Sequence, residues 1–339
     1  MLVKCDFRDN SLVATWDELY DSNAHLFPYS SYEYNKIVHE YKKLKPKAWL
    51  ESNCFYKWID SNGTTKIILP LSLYKNTISI YGDNISGAGH LDFVYSKLVT
   101  DEDFMNMFSE LRTIWGGKKL ILTKLNESSL LYKFLAKFSQ ELFPNSVLEA
   151  ERECVKIDFA NDYDSYYKGL SKSVRQNLRT SYNKLAKNNK LYELKVFSKT
   201  LCDEQTLNDI IHVYTKREFE RKQKSYSYFK YFKNRYFNVL LWAMKAMQTQ
   251  CTFAFYIDQK LAAYMTGFET NRKSIVFPML AIDKDLGAYS PGKLMINESV
   301  KYLVQQSDIR CLDLSRGAES YKFDMGGTKH VNCRFSVIL

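Results

Sequence analysis

One pattern occurs twice in this chain, and the repetition restricts its fold more than any single motif does. Cys54-Phe-Tyr-Lys-Trp-Ile-Asp60 resembles Cys251-Thr-Phe-Ala-Phe-Tyr-Ile-Asp258. Each leads through a turn into a second strand. The first turn is Ser61-Asn62-Gly63, opening into Thr65 to Tyr74; the second is Asp258-Gln259, opening into Lys260 to Thr270. A third strand follows in each half, Thr77-Ile-Ser-Ile-Tyr81 and the apolar run Ser274-Ile-Val-Phe-Pro-Met-Leu-Ala-Ile-Asp283. Then come a helix (102 to 115; 293 to 306) and a strand (Lys119 to Leu125; Cys311 to Leu314). Two copies of one α/β unit fit 339 residues, a length that outgrows a single core, and imply a boundary near Ala150.

The copies differ where each helix begins. The first enters through Thr100-Asp-Glu-Asp103, whose carboxylates would repel a phosphate. The second enters through Tyr289-Ser-Pro-Gly-Lys293. Ser290 suits an N-cap, Pro291 the first helical position, and Gly292 a close approach to the backbone, with Lys293 adding charge. Strand, glycine turn, helix and strand in this order aim free N–H groups at an anion, and a diphosphate would fit. An ordinary capped helix gives the same spacing. On the first reading the second copy keeps an anion site, and the first is free to shape an acceptor pocket in a cleft between the two.

No acidic residue occurs between Asp164 and Glu193. A helix from about Ser165 would carry Lys168, Lys172, Arg175 and Arg179 on one face, and Leu170, Val174, Leu178 and Leu185 on another. Such a face is either solvated or meets phosphate. Net charge +10 and pI 9.0 point to an anionic partner without choosing among nucleotides, nucleic acid and lipid headgroups. The seven cysteines form no CxxC pair, which predicts reduced thiols, no metal site and a cytoplasmic protein. The N-terminus has no secretory apolar segment, and no apolar run reaches the roughly 20 residues of a membrane helix. Further helices are predicted over 12–24, 29–44, 205–222 and 228–247, and a polar glycine-rich loop over Gly82 to Asp92.

Three stretches together resemble the GNAT-superfamily acyltransferases, in the double-domain branch related to the Fem peptidyl transferases and the CelD-like acetyltransferases. They are Leu170-Ser-Lys-Ser-Val-Arg175-Gln-Asn-Leu-Arg179, Tyr289-Ser-Pro-Gly-Lys-Leu294 and Asp313-Leu-Ser-Arg-Gly317-Ala-Glu-Ser-Tyr321-Lys322. Residues 150 to 330 carry the resemblance; the first half does so mainly through Ile68-Leu-Pro-Leu71 and the loop to Asp92. It implies an α/β fold of two tandem GNAT-like domains, each a mixed, mostly antiparallel sheet flanked by helices. Residues 1–149 would form a degenerate acceptor-shaping domain and 150–339 the domain that binds acyl-CoA, a co-substrate rather than a tightly bound cofactor. The pantetheine would lie along an opened strand, Phe277 to Ile282, beside Met279 and Ala281. Backbone groups of Ser290, Gly292, Lys293 and Leu294 would hold the pyrophosphate. Within the family the chain looks most like the sugar N-acyltransferases of the FdhC type. These acylate a nucleotide-linked (here dTDP-) amino sugar for surface polysaccharide, an O-antigen or capsule.

With no Ser-His-Asp set and no placed nucleophilic cysteine, direct attack of the amine on the thioester is the expected chemistry. His90 or Asp92 would take the amine proton, and Asp83 and Asn84 would bind sugar hydroxyls or the amine. Tyr321 would protonate the departing thiolate, and Asp313 would anchor the loop after its strand. Lys172, Arg175, Arg179 and Lys322 would hold a nucleotide diphosphate. A packed histidine and a packed tyrosine are the plain alternatives. Two other functions remain open: a Fem-like transferase using aminoacyl-tRNA, against which the sequence shows no heptad arm of the sort several such enzymes carry for tRNA, and a non-enzymatic nucleic-acid-binding protein.

Overall fold

The computed structural model describes residues 1–44, 50–222 and 235–339, and these group into two compact units. The first comprises Met1–Glu153, Thr270–Arg272 and His330–Leu339; the second comprises Cys154–Glu269 and Lys273–Lys329.

In the first unit β1 (Leu2–Cys5) is followed by α1 (Asn10–Ser22), α2 (Tyr32–Lys43) and the hairpin β2 (Glu51–Ile59) and β3 (Thr65–Tyr74). The turn at Asn62-Gly63 closes on the Asp60 carboxylate, which accepts from the amides of Asn62 (2.9 Å) and Thr64 (2.8 Å), with Gly63 at φ 79°. β4 (Thr77–Ile80) pairs antiparallel with β3, and the short β5 (Val94–Tyr95) pairs with β3 further along. After α3 (Asp101–Trp115), β6 (Lys119–Asn126) returns parallel to β4. α4 (Leu130–Leu142) comes next, and the chain then leaves through β7 (Val147–Asp158).

From Cys154 onward β7 belongs to the second unit. There α5 (Tyr163–Gly169), α6 (Lys172–Lys187), β8 (Tyr192–Ser198), α7 (Glu204–Lys222) and α8 (Arg235–Ala246) precede the hairpin β9 (Gln250–Ile257) and β10 (Lys260–Thr270). β11 (Ser274–Ile282), α9 (Pro291–Gln306), β12 (Cys311–Arg316) and α10 (Ser320–Asp324) complete it, with β12 parallel to β11 and antiparallel to β7. The order hairpin, strand, helix, parallel strand is thus the same in both units, as the repeated pattern predicts. Within each unit the strand pairing is mixed and mostly antiparallel.

The last strand, β13 (Thr328–Ile338), departs from the expected division of the chain. It pairs with β6 from Asn332↔Asn126 to Ile338↔Lys119, so residues 330–339 complete the first unit rather than the second. Cys333, Phe335, Val337 and Leu339 are buried there.

Other differences are local. The helix expected from Ser165 is two helices, because Leu170 and Ser171 are extended (ψ 149° and 154°) and Ser171 caps α6 through Val174 N. Lys168 therefore sits on α5 and does not share a helix face with Lys172, Arg175 and Arg179. The helix expected over 29–44 starts with a separate 3-10 turn at Pro28–Ser30. Of that expected over 228–247, residues 228–234 lie outside the described part. Among the described residues no helix is long and apolar enough to cross a membrane.

Candidate active site

β11 and β12 run as partners only from Ser274↔Cys311 to Val276↔Asp313, although β11 continues to Ile282 and β12 to Arg316. Beyond Val276 the two strands part. The sequence allows this because Pro278, two residues past the last pair, has no N–H to give a ladder. Gly267 of β10 sits opposite the divergence, where an added Cβ would lie 1.9 Å from the Val276 carbonyl oxygen. On β12, Ser315 adopts φ 52° and its amide donates to the Asp313 carboxylate at 2.7 Å, absorbing the bulge that separates Asp313 from Arg316. The Asp313 carboxylate thus holds the bulge within β12. Met279 and Ala281 are buried on the opened stretch, with Ile282 partly exposed.

α9 begins beside this opened edge. Gly292 lies so close to it that a Cβ there would come within 3.2 Å of Ile282 Cγ2. Ser290 occupies the N-cap position and Pro291 the first turn, as expected, but Ser290 is left-handed (φ 53°, ψ 48°) and its hydroxyl caps nothing. Its backbone acts instead: its amide donates to Gly287 O (2.9 Å), and its carbonyl accepts from Lys293 N (3.1 Å) and Leu294 N (3.2 Å). Of the four backbone amides expected to hold a pyrophosphate, those of Ser290, Lys293 and Leu294 are engaged inside the turn. Among the described residues the Gly292 amide has no such acceptor. The Lys293 ammonium is paired with Asp324 at 2.7 Å and so does not stand open at the helix end.

The expected phosphate ligands divide. Lys172 and Arg179 are exposed on α6. Arg175 turns back instead: its guanidinium donates to Lys168 O (2.7 Å) and Leu170 O (2.5 Å), satisfying carbonyls at the end of α5. Arg175→Ala is expected to lower stability by about 1 kcal/mol, read from urea unfolding. An unchanged midpoint with a raised KM for the acceptor would return Arg175 to substrate binding. Lys322, 1% exposed, donates to Leu314 O (3.1 Å), Arg316 O (3.0 Å) and Gly317 O (2.9 Å), and pairs with Glu319 at 3.0 Å. It staples the loop after β12 and has no donor left for a nucleotide. Tyr321, next to it on α10, is mostly buried; burial raises its pKa, as does Glu319, while the nearby Arg217 guanidinium lowers it.

The corresponding slot in the first unit is filled. β4 and β6 also part early, their register ending at Ser79↔Ile121. There the loop after β4 folds into the opening: Leu91 N donates to Lys124 O (3.1 Å), and the Asp83 carboxylate takes Thr123 Oγ1 (2.7 Å) and Lys124 Nζ (2.9 Å). Gly82, at φ 75°, makes the necessary turn 2.6 Å (as a Cβ) from Val38 Cγ1. The start of α3 is closed as well, by a capping box between Thr100 and Asp103. The residues expected to bind acceptor mostly build this plug. His90 stacks on Phe27 at 3.9 Å and meets Asn332 Oδ1 at 3.0 Å. Asp92 is buried, accepting from Phe93 N (2.8 Å) and Tyr95 OH (2.9 Å). Asn84 alone is exposed.

Burial pushes the Asp92 carboxyl up to about 7, against the hydrogen bonds from Tyr95 and Phe93 that lower it. A carboxyl whose pKa is higher folded than unfolded keeps its proton in the native state. Stability is therefore expected to fall as pH rises between about 4 and 7, by roughly 1 kcal/mol per pH unit at most. Asp92→Asn should flatten that slope in a urea series across pH.

Residues 172–323 match the model of the Acetyltransferase (GNAT) domain. This region, with its parted parallel strands and glycine-led helix, is a GNAT acetyltransferase domain, and the protein is an acyltransferase. Comparison with curated proteins returns no match. Among solved structures the chain resembles FemX (TM-score 0.62, 9% identity, covering 100% of this chain and 97% of that one). It also resembles a conserved protein of unknown function from Bacteroides thetaiotaomicron (0.55, 10%, 100% and 99%) and L-PGS from Bacillus licheniformis (0.53, 10%, 97% and 92%). At these identities the likeness is one of fold, and it spans the tandem arrangement.

Proposed function

We propose that the protein transfers an acyl group from acyl-CoA to a primary amine, with the second unit binding the acyl-CoA. The observation that supports this most is the unpaired edge of β11 from Phe277 to Ile282, lying beside the open Gly292 amide at the start of α9. An opened strand edge offers main-chain partners to the amides of a pantetheine, and a helix start suits its diphosphate. In the reaction the amine nitrogen attacks the thioester carbonyl, and the tetrahedral species collapses with loss of CoA thiolate. A backbone N–H of β11 stabilises the oxyanion. Tyr321, whose raised pKa keeps it protonated, supplies the proton to sulfur, and the proton that the amine nitrogen loses passes through water to restore the tyrosine. The acceptor class is an amino sugar carried on a nucleotide, with the exposed Lys172 and Arg179 as its phosphate contacts.

Isothermal titration with CoA tests this first. One-to-one binding that survives moderate salt is expected, since the first unit's slot holds its own loop. Nucleotide-linked amino sugars are then screened with acetyl- and longer acyl-CoA. Absence of CoA binding by folded protein, with tight salt-dependent binding of tRNA, would replace this reading with a tRNA-dependent transfer.

A further inference from the structure

One cation sits on the opened edge and was not singled out by the sequence. Arg217 of α7 is exposed, yet its Nη1 donates to Leu280 O at 2.6 Å, in the part of β11 that β12 has left. α7 is held against this strand end by charge pairs. Lys216 bridges Asp283 and Asp285, both at 2.6 Å, and Glu220 meets Lys284 at 3.0 Å. Leu280 lies two residues before Ile282, the residue that touches Gly292. Two strand residues span roughly 7 Å, within the reach of an arginine side chain. The Arg217 charge also lowers the pKa of Tyr321 on α10.

We propose that Arg217 stands in for the pantetheine in the empty protein and moves to the CoA diphosphate when acyl-CoA enters. In the empty state its guanidinium satisfies a strand carbonyl that would otherwise await the ligand's amide. On binding, the pantetheine N–H takes over Leu280 O, and Arg217 turns toward the phosphates at the start of α9, the ligand region whose own lysine is held by Asp324. Arg217 is a binding residue that exchanges a strand carbonyl for a ligand phosphate, with no covalent bond made or broken.

This rests on the acyl-CoA reading and is tested by comparing CoA with pantetheine, which has the same amides but no diphosphate. Titrations use the intact protein, Arg217→Ala, Arg217→Lys and, as a control for the clamp alone, Lys216→Ala. Arg217→Ala is expected to weaken CoA about 10- to 100-fold while leaving pantetheine unchanged or a few-fold tighter, because a competitor for Leu280 O is gone. Arg217→Lys should recover most of the CoA affinity. Equal losses for both ligands, or none for CoA, would overturn the proposal. If the unaltered protein binds no CoA, it is the acyl-CoA reading that fails.

Discussion

Removing residues 330–339 is expected to unfold the first unit, although the cut lies at the far end of the chain. The deleted segment supplies the strand beside β6 and buries Cys333, Phe335, Val337 and Leu339. At about 1.5–3 kcal/mol for each large side chain, the apolar loss alone is of order 6–10 kcal/mol, comparable to a whole domain's stability. The plug goes too, since Asn332 Nδ2 donates to Gly89 O at 2.7 Å and Asn332 Oδ1 meets His90. Hydrogen exchange should show β3, β4 and β6 losing protection together. Retained slow exchange in β6 after the deletion would show that β13 is dispensable.

The second large effect is expected at Lys322. Lys322→Met fits the buried volume but leaves the Leu314, Arg316 and Gly317 carbonyls without their donor. Leaving buried acceptors unsatisfied costs about 1–3 kcal/mol each; at the low end of that range for the three carbonyls a loss of roughly 3–5 kcal/mol is expected, or about 10 °C in the second unit's melting. Because this loop leads into α10, Tyr321 would be displaced and turnover should fall further than stability. Unaltered melting with a raised acceptor KM would instead make Lys322 a ligand of substrate, the role its sequence context suggested.

What the sequence made legible was what local pattern encodes. The Asn62-Gly63 hairpin, the strand–helix–strand of each copy and the entry of α9 through Pro291 all follow from turn chemistry and periodicity within a dozen residues. The break between α5 and α6 was also written there, in Gly169-Leu-Ser171, but a run of basic residues at helical spacing reads across it. Lys322 and Arg175 were misread for a common reason. A cation that binds phosphate and one that binds backbone carbonyls are the same residue, and only the fold places a carbonyl or an open space before it. β8, Tyr-Glu-Leu-Lys-Val-Phe-Ser, is too short and too polar on one face to separate from loop. β13 joins the first unit through pairing across the chain's whole length, which no local signal can report.

That last pairing has a consequence for how the protein is made. Asn126 and its partner Asn332 are 206 residues apart in sequence. During synthesis the first unit emerges with the free edge of β6 uncovered and cannot be completed until residues 330–339 have left the ribosome. A single long closure of this kind slows folding and exposes a strand edge to other chains meanwhile. The two copies, similar as they are, are therefore not two genes' worth of separable protein. Expressed alone and cut at Ala150, the first half lacks the strand beside β6, while the second half carries that strand without its partner.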